Sequence, residues 1–413
     1  NHQQTQEIEE KLALKNMGIL KNGAAFFDTY SGGASDAFFC ISRISELTSI
    51  FSDFSLKNVL YNSYSWLRTF VLIIIELFLA VYDALLGLWR GRRLIAELKF
   101  IPLRVIVVVL FRELAVIMGK SAISQGVTPV HINLLGYDEQ SHRRGPSSKF
   151  AHWTLRGIDD AIKRIWMCAQ QVEDDYHLLV YSDHGQEDVL PYEEIYGKTI
   201  NEAIAEVLST QQVEGGETLD ERLGIQGKRS VILGGPFWGD LFSQIDGQFE
   251  RDNDKALLTA LGPLGHIYLP ENDEESLAIT ARILVERAHI PIIMMKMGQR
   301  SAKLFFNEDS MVLPKDSKRL AELGVCSAPW LIEDLIGLCQ HEKSGDLIIS
   351  GWKDNAALSF SLERGAHGGP GAQECNGFVF CPEALLKSYQ KADWLRPNDL
   401  RNLILKLFAS PRA

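Results

Sequence analysis

The stretch Phe70–Trp89 leaves this chain the fewest choices. It is apolar except for Glu76 and Asp83, and Thr69, Glu76, Asp83 and Arg90 recur at intervals of seven. Seven residues are close to two helical turns, so these four fall on one narrow stripe of a helix. A basic connector follows, with Arg90, Arg92, Arg93 and Lys99. A second apolar helix is predicted from about Pro102 to Met118, interrupted by Arg104, Arg112 and Glu113. The pair reads as a helical hairpin inserted at about 61–126. Three settings suit it: packing on the protein's own core or on a dimer mate, lying on a membrane surface, or spanning a bilayer. Length permits spanning, but an acid at mid-bilayer costs about 2.5–3.5 kcal/mol on insertion scales, which counts against it.

The remaining sequence reads as a folded chain. Of 413 residues, 46% are hydrophobic and 23% charged, which excludes a disordered protein and allows a large core. The net charge of −11 argues against nucleic-acid binding by bulk charge. Six cysteines without a CxxC pair indicate neither a zinc ribbon nor a disulfide scaffold. Cys375 and Cys381 are close enough in sequence to pair, but free buried thiols fit better. Residues 1–20 are polar and helix-like, without a signal-peptide pattern. A membrane-associated place and one at a cytoplasmic face are both compatible with this.

Ala24–Phe27 reads as a short strand and 30–35 as a turn, after which Asp36 is expected to cap a helix running toward Ile44. From Val127 strands alternate with helices. Pro129–Leu135 is a strand, and Phe150, Trp153, Ile158, Ile162 and Ile165 follow helical spacing. Further strands are expected at 177–182, 230–233, 266–269, 291–296, 346–351, 357–362 and 377–380. Helices are expected at 200–208, 274–288, 317–323, 328–339 and, capped by Asn398, at 399–408. The alternation favours an α/β fold: one mostly parallel sheet with helices on both faces, formed by 1–60 and 127–413.

Three apolar runs end in loops that carry chemistry. The first opens Tyr137-Asp138-Glu139-Gln140-Ser141-His142-Arg143-Arg144-Gly145-Pro146, the second Ser182-Asp183-His184-Gly185, the third Ala366-His367-Gly368-Gly369. In an open α/β sheet such loops converge at one edge, so residues far apart in sequence can share a site. Imidazole with carboxylate suits zinc, and carboxylate-rich variants suit manganese. Each motif alone has a plainer reading, as a surface ion pair or a turn histidine. Three such strand ends together favour a metal site.

In this order the motifs resemble the alkaline phosphatase superfamily, and within it the type I phosphodiesterase/nucleotide pyrophosphatase branch. The resemblance implies an alkaline phosphatase-like core and a metal-dependent hydrolase of phosphoesters or phosphodiesters. It implies two divalent metals, zinc first and manganese as the alternative, that clamp a phosphoryl group during in-line displacement. Asp138, His142 and His367 would hold one metal, and Asp183 and His184 would contribute to the second. Arg143 or Arg144 would approach the phosphate. Ser141 stands where the family has Gly. Family members also begin with an apolar strand ending in an Asp ligand, followed by a Thr or Ser nucleophile. Residues 1–23 contain no such strand. Thr29, Ser31 and Ser35 lie near Asp28 and Asp36, but the run before them is short, so a turn and a helix cap is the plainer reading. The expectation is that the nucleophile and one carboxylate lie upstream of Asn1, in a longer protein. The scaffold also serves phosphotransferases, mutases and sulfatases, and without a nucleophile it would suit a metal-binding pseudo-enzyme or a membrane-associated interaction protein.

Overall fold

The computed structural model describes residues 2–15, 18–46, 63–89, 98, 101–102, 104–172, 176–208, 214–215, 256–270, 273–383, 385 and 394–409. The strand expected at 230–233 and the basic residues Arg90, Arg92, Arg93 and Lys99 lie outside them. In chain order, helix α1 (His2–Lys15) leads to strands β1 (Ala24–Phe26) and β2 (Asp36–Phe38) and to helix α2 (Ser63–Trp89). A π-helical stretch, Val105–Phe111, runs into α3 (Arg112–Ser124). Then come β3 (Val130–Ile132), α4 (Tyr137–Arg144), α5 (Lys149–Ala169), β4 (Val180–Tyr181), β5 (Glu187–Asp188) and β6 (Leu190–Pro191). They are followed by α6 (Tyr192–Tyr196), α7 (Ile200–Leu208), β7 (Glu214–Gly215), β8 (Leu257–Leu261), β9 (Leu264–Tyr268), α8 (Glu274–Arg287) and β10 (Ile292–Lys296). The chain closes with β11 (Ala302–Phe306), β12 (Asp309–Leu313), α9 (Leu331–Gln340), β13 (Leu347–Ser350), β14 (Leu358–Ser359), β15 (Gly365–Ala366), α10 (Ala372–Cys375), β16 (Val379–Phe380) and α11 (Pro397–Ala409).

The fold is mixed α/β, but the sheet is not mostly parallel as expected. The largest sheet has seven strands in the order β12-β11-β10-β13-β9-β8-β7, and every pairing in it is antiparallel except β7 with β8. Tight connections dictate this. Leu261 pairs with Leu264 across Gly262-Pro263, and Phe306 pairs with Asp309 across Asn307-Glu308. Gly262 and Asn307 take positive φ at these turns, and a two-residue link can join only antiparallel neighbours. The apolar runs looked parallel because both faces of this sheet are covered. Ile293 and Met295 pack toward α7 and α8, and Ile292 and Met294 toward α9, following the two-residue alternation of a strand.

Parallel pairing is real in a smaller sheet, ordered β2-β1-β3. Asp36 starts a strand here rather than capping a helix, because Phe38 is needed in the core beside Phe27 and Phe111. The π-helical stretch and α3 cover this sheet with Val107, Phe111, Ala115 and Ala122. Helix α5 backs α3 through Val116, Ala161 and Ile165. Ser148 caps α5 by accepting a hydrogen bond from Ala151 N at 3.1 Å. At the other end of the chain α11 begins at Pro397, before the expected cap Asn398. Asp399 there reaches back to accept from Arg396 N at 2.9 Å.

Helix α2 carries its seven-residue stripe inward. Thr69, Glu76 and Asp83 are buried. Arg104 pairs with Glu76 through Nε, lies 3.6 Å from Asp83 through Nη1 and sits over the Phe150 ring. Trp153 Nε1 donates to Glu76 at 3.2 Å. Asp83 receives Arg144 of α4 in a two-pronged contact, with Nε at 2.8 Å and Nη2 at 2.7 Å from Oδ2. Near the start of α2, Arg68 pairs with Glu113 and Asp160, which Arg164 also holds.

Candidate metal centre

Helix α4 presents two of the expected residues one turn apart. Its start is fixed by Glu139, which accepts from Gly136 N at 2.8 Å, and Gly136 adopts φ 122°. Asp138 and His142 then share a face, with His142 Nε2 3.1 Å from Asp138 Oδ1. His142 is buried, and its Nδ1 faces Glu363 Oε2 and Gly365 O, each at 2.8 Å. Nδ1 donates to these acceptors, and Nε2 faces Asp138 Oδ1. Burial by itself would lower the His142 pKa. The hydrogen bonds and charges of Asp138 and Glu363 outweigh it and push the value up to about 10.

The third loop reaches α4 because Gly365 has no side chain. A Cβ there would lie 2.4 Å from Ser141 O. Arg364 N donates to His142 O at 2.7 Å, locking the strand end to the helix end. His367 follows β15, with Nε2 3.7 Å from Asp138 Oδ1 and its ring 5.0 Å from that of His142. Glu374 shapes the loop beyond by accepting from Gly369 N at 2.7 Å and Gly371 N at 2.9 Å. Burial raises the Glu374 carboxyl pKa, and these backbone donors act against it.

The second loop comes in the same way. Gly185 lies against α10, where a Cβ would sit 1.9 Å from Gln373 O, and its N–H donates to Glu374 O at 2.9 Å. His184 stacks on His367 with ring centroids 3.6 Å apart. Its Nδ1 is 2.7 Å from Gly185 O, which leaves Nε2 for the site.

Asp138, His184 and His367 therefore offer one ligand atom each, all within 4.8 Å of one another, and form a metal-suited group among the described residues. This grouping differs from the expected one, in which His142 joins Asp138 and His367. His184 stands with Asp138 and His367, and His142 stands behind Asp138. The Asp183 carboxylate is 82% exposed, with Oδ2 3.5 Å from His184 Nε2. Arg144 turns away from the site to Asp83, and Arg143 is half-buried beside it on α4. A donor set of one carboxylate and two imidazoles, backed by a carboxylate on the third imidazole, has the composition of a divalent-cation site.

Sequence reasoning missed two neighbours, Glu363 and Gln186, and passed over Asp28 as part of a turn. Glu363 orients His142, and the signal was an acid standing four residues before His367. Gln186 Nε2 is 3.5 Å from Asp138 Oδ1, directly after the Asp-His-Gly run. The run Ala24–Phe26 is short, yet it is a buried central strand, and the residues after it are Phe27, Asp28 and Thr29. Asp28 is hydrogen-bonded to His131 Nδ1, and His131 Nε2 lies 2.6 Å from the Tyr181 hydroxyl. Burial, then the charges of Asp28 and Asp183, push the Tyr181 pKa up to about 12. Ser31, also weighed as a nucleophile, is buried and donates to Glu9 at 2.6 Å.

No curated protein matches the chain. A family model does, over the stretch that supplies Asp138, His142, Asp183 and His184. Residues 123–236 match the model of the type I phosphodiesterase / nucleotide pyrophosphatase family.

Proposed function

We propose that the chain carries the catalytic centre of a metal-dependent phosphodiester or phosphomonoester hydrolase. The observation that carries this reading is the meeting of Asp138, His184 and His367, from three distant segments, within 4.8 Å. The family match supports a phosphoester substrate. These three residues would hold a divalent cation, zinc first by its taste for imidazole with carboxylate. Once bound, such a cation neutralises charge on phosphoryl oxygens and lowers the pKa of a coordinated water.

The chain's own residues do the rest. His142, fixed by Glu363 and Gly365, holds Asp138 in place by presenting Nε2 to its Oδ1. Gln186 donates to the same oxygen. Gly368 leaves open space for a phosphate beside His367, since a Cβ on it would meet nothing within 4 Å. Asp183, beside His184 and largely exposed, is the carboxylate available to a second cation. For the attacking hydroxyl, Thr29 is the candidate within this chain, because it is exposed and follows Asp28 just past the end of β1.

The test is hydrolysis of bis(p-nitrophenyl) phosphate with added zinc or manganese, alongside metal content measured by mass spectrometry. Turnover should vanish with a chelator and in Asp138→Ala. A protein that binds neither metal ends this reading. One that binds metal yet turns over neither phosphoesters nor sulfate esters is a pseudo-enzyme. Thr29→Ala decides the origin of the nucleophile: retained turnover assigns the attack to another group.

A further inference from the structure

We infer that α2 is a membrane-seating helix that lies in the plane of a bilayer surface, with its outer face in the acyl chains. The inference stands independently of the hydrolase reading. Helix α2 is long and apolar enough to cross a membrane by length and composition. Its polarity is inverted relative to a helix on a water-soluble surface. The face toward the protein carries Thr69, Glu76 and Asp83, and the face away from it carries Leu67, Phe70, Ile74, Phe78, Leu85 and Trp89. From Leu67 to Trp89 every exposed residue of α2 is apolar or aromatic. Phe78 is 73% exposed and Trp89 83%. A continuous strip of this kind along about 33 Å of helix exceeds what water tolerates on a monomer and marks an interface.

Three features select lipid as the occupant. Apart from the Tyr82 hydroxyl the strip carries no polar or charged group, whereas a protein interface interleaves arginine and hydrogen-bonding groups with its apolar core. Aromatic residues stand at both ends, Tyr64 at 77% exposed and Trp89, where amphipathic rings settle at a headgroup boundary. The sequence after Trp89 continues Arg90-Gly91-Arg92-Arg93, in a chain of net charge −11. Local cations of this kind complement anionic headgroups.

Packing decides between lying in the membrane and crossing it. Buried residues run along α2 from Thr69 to Gly87, about 27 Å. Over this length α2 is tied to the domain, by Glu76 to Arg104 and Trp153 and by Asp83 to Arg144. A helix fastened sideways to a folded domain cannot leave it to span. The bilayer meets it from outside, and the two acids stay on the protein side.

The experiment is flotation of the full chain with vesicles of phosphatidylcholine, with and without phosphatidylglycerol. The wild type should float, more completely with phosphatidylglycerol. Phe78→Asp combined with Leu85→Asp should lower partition roughly a hundredfold while leaving the circular dichroism spectrum unchanged. Ile279→Asp, an exposed apolar position on α8, should float like the wild type. A wild type that stays with the soluble fraction at every vesicle composition overturns the proposal. So does a double variant that floats undiminished. If the wild type instead sediments as a dimer that the double variant dissolves, the strip belongs to a second copy of this chain.

Discussion

Behind α2, Glu76, Asp83 and Glu113 meet Arg68, Arg104, Arg144 and Arg164, whereas at the candidate centre Asp138 meets His142, His184 and His367. Both places gather carboxylates with nitrogen bases. A guanidinium has donors on every nitrogen and no lone pair, so it neutralises a carboxylate permanently and leaves no ligand atom. An imidazole keeps a lone pair on one nitrogen and can exchange a proton for a cation. The first network therefore neutralises its own charges and offers no ligand atom, although Arg104 keeps buried Nη1 and Nη2 without a hydrogen bond. The second keeps ligand atoms of Asp138, His184 and His367 within 4.8 Å of one another. Solvent access agrees: the Glu113 and Arg104 side chains have no exposure, while those of Asp138 and His367 keep 23% and 28%.

The comparison breaks first if the α2 network is not closed. Glu76→Ala should cost about 3–5 kcal/mol, because it leaves the Arg104 guanidinium buried beside a weaker partner. Urea unfolding followed by circular dichroism measures this. Replacing both members, Glu76→Met with Arg104→Met, should recover most of the loss. A single variant with unchanged midpoint would mean that water already reaches the pair.

The next test separates two adjacent residues that look equivalent in sequence. His184→Ala should lower metal affinity and phosphodiester turnover by roughly a thousandfold, about 4 kcal/mol, since it removes one of three gathered ligands. Asp183→Ala should leave the tighter-bound cation in place and cost turnover only. Isothermal titration with zinc reads the difference. Equal loss of affinity in both variants would restore the original pairing of Asp183 with His184.

How far these sites were legible in sequence follows from the range of the interactions that build them. The α2 stripe depends on one periodicity within one helix, so Glu76 and Asp83 could be placed on a common face at once. Each chemical loop was legible locally too, as an apolar run ending in His and Gly. What could not be read was which of these residues stand together. That depends on the close approaches at Gly185 and Gly365, contacts between segments far apart in the chain. Antiparallel pairing was hidden for a related reason. Ile292–Met295 is buried on both sides, and such a strand has the same composition whichever way its neighbours run. Asp28 was hidden by length, since three residues are enough for a central strand only when partners lie on both sides, as β2 and β3 do.

A smaller effect is expected one step out from the ligands. Glu363→Gln keeps an acceptor for the Nδ1 proton of His142 but removes the charge that favours it. Metal affinity should fall about 10- to 100-fold, the usual consequence of losing a carboxylate behind a histidine at a metal site. Thermal stability in the presence of saturating zinc should change little. A loss as large as that of His184→Ala would make Glu363 itself a ligand.

The least effect is expected where the two regions touch. Arg144 leaves α4 two residues after His142 and ends in Asp83 of α2, so the helix bearing Asp138 is tied to the apolar helix by one bidentate ion pair. Arg144→Lys keeps the charge and gives up the planar fork, which should cost about 1 kcal/mol of stability. If the pair only holds α2 to the domain, metal affinity and turnover stay at wild-type values in detergent and on vesicles alike. If it positions α4, turnover falls several-fold while zinc affinity, set by atoms beyond the pair, holds. In the second case vesicles that immobilise α2 should restore part of the lost rate, because the bilayer would then fix from outside what the guanidinium fixed from within. Absence of any such rescue would leave the two regions adjacent in the fold and independent in action.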